Sequence, residues 1–159
     1  MSDRMAAEIW IGGKVPEELV PDLCATIGGE YVALEWGDAR FQPHTAEDLL
    51  QACREDHRGV GLLRLCHDEA RWGEFEGLEG FLREHGIAFT RHTAARYEYD
   101  AETVEHRRQS GLVALATNGS REPVVPASKL TPVEKSLAKG IDQLGRGKTT
   151  GGLRNLKRA

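Results

Sequence analysis

Residues 8–36, EIWIGGKVPEELVPDLCATIGGEYVALEW, pass through two periodicities. Glu8-Ile9-Trp10-Ile11 is the short apolar run of a strand, and Gly12-Gly13 ends it in a turn. Leu19, Val20, Leu23, Cys24 and Ile27 then recur at the spacing of one helical face, and Gly28-Gly29 stops that helix. Tyr31 to Trp36 returns to strand character. Pro21 leaves two arrangements open: the helix begins there with Pro in its first turn, or it is kinked.

The same alternation runs outward from this stretch. Thr45-Ala46-Glu47-Asp48 has the spacing of a capping box and opens a helix expected to reach about Asp56. Val60 to Cys66 is apolar on both faces, which predicts a buried strand near the centre of a sheet. A helix is expected over about Glu74 to His85, with Phe75, Leu78 and Leu82 on one face and Gly86 at its end. Gly77 and Gly80 cost this helix roughly 1 kcal/mol each against alanine, so they are expected to allow close packing on the sheet. Ile87 to Arg91 is the fourth strand, and Arg96 to Asp100 is expected to pair back as a fifth. Ala101 to Gln109 has Val104 as its one large aliphatic residue and reads as a surface helix or irregular connection.

Leu112 to Thr117 resumes strand character, and Asn118-Gly119 predicts a type I′ hairpin turn. Val124-Val125, between Pro123 and Pro126, is then an edge strand. Thr131-Pro132-Val133-Glu134 is a capped helix start, with Gly145 as its stop. The expected fold is α/β (or α+β): a mixed sheet, strand-helix alternation in the N-terminal half, then hairpins and a C-terminal helix. A ferredoxin-like variant is the alternative.

Charge divides the chain. Met1 to Ala127 carries 13 basic and 23 acidic residues, a balance of −10, and Ser128 to Ala159 carries 8 basic and 2 acidic, a balance of +6. The expected organisation is one domain over residues 1–144 and a basic, glycine-rich flexible tail over 145–159. No apolar stretch is long enough for a signal peptide or a membrane span. Cys24, Cys53 and Cys66 form no CxxC pair, and the expected compartment is the cytoplasm.

Crossovers between the first four strands would make them parallel and gather their following turns at one sheet edge. Gly12, Gly13 and Lys14 would offer backbone N–H groups and a charge to an anion there. His67, Asp68 and His92 are the candidate acid/base groups. No HxH, HExxH or CxxC spacing fixes a metal geometry, so no metal ligands and no cofactor are assigned. Cys66 and His67, adjacent on a strand, point to opposite faces.

Tyr97 and Tyr99, beside Arg91 and Arg96, form an aromatic-basic pattern suited to a protein partner or to stacked bases. Arg146, Lys148, Arg154, Lys157 and Arg158 could neutralise phosphates or an acidic partner surface. The leading functional expectation is a non-enzymatic interaction protein, its body binding a protein partner and its tail adding electrostatic attraction. A nucleic-acid-associated accessory protein using the tail comes second, and a small ligand- or metal-binding enzyme using the His-rich edge third.

Overall fold

The computed structural model describes residues 3–55, 59, 61–96 and 99–124. By its internal contacts the chain divides into Met1–Pro123 and Val124–Ala159, and the first of these is the body described below. Tyr97, Val125, the Thr131-Pro132 helix start and the 145–159 tail lie outside the described residues.

The elements are β1 (Arg4–Gly12), a 3-10 turn (Glu17–Leu19), α1 (Val20–Gly29), α2 (Ala46–Ala52), β2 (Arg54–Glu55), β3 (Gly61–Arg71), α3 (Glu76–Glu84), β4 (Ala88–Thr93), β5 (Ala101–Arg107) and β6 (Gly111–Thr117). The α/β class expected from the sequence is the observed one. The six strands form one sheet in the order β2-β3-β1-β4-β5-β6. Every pairing is antiparallel, so the parallel arrangement and its shared ligand edge do not form. β3 and β4 both run antiparallel to β1, which lies between them; β3-α3-β4 is therefore a split βαβ unit. β3 sits second from an edge, not at the centre, because only the two-residue β2 and a single bridge flank its outer side.

One face of the sheet makes the core. Ile9 and Ile11 of β1, Leu65 of β3 and Phe89 of β4 are buried there against Leu23 and Ile27 of α1 and Leu78 and Leu82 of α3. Each such side chain contributes about 2 kcal/mol on burial. Pro21 stands in the first turn of α1, so that helix starts there unkinked. α2 has the expected capping box, with Asp48 N bonded to Thr45 Oγ1 at 3.2 Å and Thr45 N to Asp48 Oδ2 at 3.0 Å. It ends at Ala52, short of the expected Asp56, because Cys53 turns extended to enter β2. α3 closes in a Schellman motif: Gly86 takes φ 65°, and the amides of Gly86 and Ile87 donate to the carbonyls of Arg83 and Leu82.

The glycines of α3 do not serve close sheet packing. A Cβ on Gly80 would meet nothing within 4 Å, and one on Gly77 would lie 2.9 Å from Glu30 Oε1. Gly77 leaves room for the Glu30 carboxylate, which accepts from Leu78 N at 2.8 Å and so caps α3 from outside.

Four further expectations are corrected. Tyr31 to Trp36 is not a strand; it makes one bridge, Ala33 to Cys66, on the outer edge of β3. The left-handed backbone of Tyr31 and Gly37 breaks the extended run at both ends. Arg96 and Tyr99 exchange backbone hydrogen bonds as an isolated bridge, and the strand is β5 beyond them, over the stretch expected as a surface helix or irregular connection. β5 escaped the sequence reading because two of its core-side residues are polar. Glu102 pairs with Arg91, and the His106 ring stacks on Phe89. Asn118-Gly119 does not form a type I′ turn. Asn118 Oδ1 accepts from the amides of Ser120 and Glu122, and the left-handed residue is Arg121.

Candidate functional site

Cross-strand partners share a face, and this sorts the candidate residues. Glu8 pairs with both Cys66 and His92, whereas Ala7 pairs with both His67 and Thr93. Cys66 and His92 thus lie on the sheet face opposite α1 and α3, and His67 lies on the helix-bearing face. The two histidines do not converge, and Asp68 is exposed near the irregularity in β3. Gly12 and Gly13 line an apolar cavity at the far end of β1, with Lys14 exposed in the turn beyond. Arg146, Lys148, Arg154, Lys157, Arg158 and Tyr97 are outside the described residues. Among the described residues no cluster of three or more His, Cys, Asp or Glu could hold a metal ion.

Tyr99 does fall into a constellation. Beside the start of β1, the end of α1 and the end of β3, a cleft of about 520 Å³ is lined by Arg4, Glu30, Tyr31, His67, Arg71, Trp72, Glu74 and Glu76. Trp72 edges against Tyr99, ring centroids 5.9 Å apart and planes at 79°. Arg96 Nη1 donates to the Arg4 carbonyl, which ties Arg96, the bridge partner of Tyr99, to the start of β1. His67 Nδ1 accepts from Glu69 N at 3.0 Å, which fixes its ring in the cleft wall. Arg71 pairs with Asp3 at 3.4 Å.

The backbone beneath these rings is unusual. Trp72 and Gly73 have φ of 56° and 67°, and Glu74 N donates to the Arg71 carbonyl at 3.1 Å, a type I′-like turn. Gly73 is obligatory there: a Cβ would sit 2.0 Å from Thr93 Cγ2. Its carbonyl accepts from Arg91 Nη1 at 3.0 Å and Thr93 Oγ1 at 2.7 Å, anchoring the turn on the core. Trp72 occupies the other left-handed position, where Gly, Asn or Asp is the usual choice, and stays 47% exposed. Tyr31 repeats the pattern. It takes φ 57° just after α1, although glycines stand two and three residues earlier, and it is 66% exposed. The Arg40 guanidinium lies 3.7 Å from its ring centroid and bonds the Gly28 carbonyl near the end of α1.

The opposite face holds a second polar group, centred on Glu8, which is 1% exposed. Arg64 Nε donates to Glu8 Oε2 at 2.7 Å, and Nη1 reaches Glu35 Oε2 at 2.9 Å. Arg121 forms an ion pair with Glu8 Oε1 outside hydrogen-bond geometry. His92 Nδ1 is 3.0 Å from Thr103 Oγ1, and burial, then the Arg121 charge, push its pKa below the ordinary value. Burial pushes the Cys66 thiol up to about 11, so it is an unreactive thiol at neutral pH. The buried carboxylate is hydrogen-bonded by Arg64 at Oε2 and charge-paired with Arg121 at Oε1, which makes this network a structural clamp across β1, β3 and the 118–122 turn.

Tyr99 and His67 are legible in the sequence as candidates; Trp72, Tyr31, Arg4 and Arg71 are not. The available signal was Trp72-Gly73 between a strand and a helix, a turn whose first left-handed position carries the wrong residue type for comfort. Comparisons with protein-family models, with curated proteins and with solved structures gave no match.

Proposed function

We propose that this chain is a non-enzymatic interaction protein of the cytoplasm, whose Trp72–Tyr99–Tyr31 cleft grips a protein partner. The basic residues of the C-terminal segment add electrostatic attraction to an acidic surface on that partner. The observation that carries the reading is Trp72: an exposed indole held in a left-handed turn position that a smaller polar residue would fill at lower cost. Trp, Tyr and Arg are the residue types that dominate binding energy at protein interfaces, and Tyr31, Trp72, Arg4 and Arg71 line one cleft, with Tyr99 against Trp72. Glu30, Glu74 and Glu76 in the same wall disfavour a nucleic-acid backbone.

Crosslinking in the native cell, comparing the unaltered chain with Trp72→Asn, tests this. A protein captured by the first and lost with the second, while both remain folded, supports the proposal. Identical captured sets from the two chains overturn it.

A further inference from the structure

We infer that the cavity at the Gly12 end of β1 is a binding site for a small amphiphile with an aliphatic body and a cationic head. It lies at the end of β1 remote from the aromatic cleft, about 25 Å away along the strand, and does not depend on the proposal above.

The cavity holds about 360 Å³ between β1, α1, α2 and the start of β3, within the roughly 300–1,000 Å³ common for small-molecule sites. Ile11, Leu23 and Leu63 give it a buried apolar lining, and Leu49 belongs to the same apolar surface. Leu50, on the same lining, is 67% exposed, so the apolar surface continues out to solvent. Gly13, at φ 97°, contributes backbone without a side chain, and a Cβ there would meet nothing within 4 Å. An apolar lining open to solvent gains free energy when an aliphatic chain covers it.

The head group follows from the charges. Glu17 is the one charged side chain among the described lining residues. Glu18 and Asp22 follow it in the first turns of the 3-10 segment and α1, and Glu47 stands in the first turn of α2. Asp48, also there, is tied to the amides of His44 and Thr45. Among the described residues, Lys14 is exposed and outside the lining, and Arg54, next to the lining residue Cys53, is paired with Glu35. An anionic head would meet this acidic surround; an ammonium would complement Glu17.

Titration calorimetry on the full chain with octylammonium, octanol and octanoate is the test. Octylammonium binds tightest, octanoate weakest, and Glu17→Gln lowers the octylammonium affinity roughly threefold, to that of octanol, as for an exposed ion pair. Cys53 lines the cavity, so saturating octylammonium slows its alkylation by a maleimide in the unaltered protein, read by peptide mass. Leu49→Trp, which fills the space, abolishes binding of all three. The inference is overturned if no octyl compound binds, if octanoate binds as well as octylammonium, or if Cys53 alkylation is unchanged at saturation.

Discussion

At φ 56° Trp72 holds a backbone conformation that costs a non-glycine residue about 1–2 kcal/mol. What it returns to the fold is an edge contact with Tyr99, half exposed and worth no more than about 1 kcal/mol. Trp72→Asn, which tolerates the left-handed region, is therefore expected to leave the melting temperature unchanged or raise it by up to roughly 4 °C. The same variant is expected to lose the partner. A fall of several degrees in a thermal melt would instead mark Trp72 as a residue that holds the fold. His92 has the opposite kind of role, since it belongs to the structural network around Glu8. Its folded-state pKa is lowered, first by burial and then by Arg121. The folded chain then binds fewer protons than the unfolded one just below the ordinary histidine value of about 6.5. Stability from this group is full above about pH 6.5 and is lost as pH falls through the folded-state value. His92→Gln should flatten the difference between urea midpoints measured at pH 7 and pH 5, and an unchanged difference would show that His92 does not set it.

Among the elements, those whose ends carry their own chemistry are the ones the sequence located. The Thr45–Asp48 box and Gly86 after α3 act within one turn of the chain, so local pattern suffices, whereas Pro21 left two starts open for α1 until the structure placed it in the first turn. Thr45→Ala removes one half of the α2 box and should cost about 1 kcal/mol, read as a lower denaturant midpoint. α2 has only seven residues, so the loss should also appear as faster amide exchange confined to residues 46–52. β5 was illegible for the converse reason. Its core-side Glu102 and His106 are made acceptable by Arg91, Phe89 and the Ile87 carbonyl, partners distant in sequence. Tyr31 to Trp36 had a strand's composition and yet made one bridge, because edge space on β3 is shared with β2.

Across the described body, the outer side of β6 carries one bridge, Thr117 to Pro123. Gly111–Thr117 contains no charge, proline or bulge, and Leu112, Val113 and Leu115 are exposed. Natural edges of this kind invite pairing with another strand. Leu115→Lys, at a position that supports no core, should suppress concentration-dependent association measured by light scattering without lowering the melting temperature; equal scattering from both chains would show that the edge is already protected. The sequence alone determined the α/β class, the capped start of α2, the stop of α3 at Gly86, and an acidic body ahead of a basic segment, because those rest on periodicity, capping and charge. Strand direction, the placing of His67 and His92 on opposite faces, and the meeting of Trp72 with Tyr99 were decided by the tertiary structure. They depend on which strands pair with β1, and that pairing is set by burial between residues far apart in the chain, which no local pattern records.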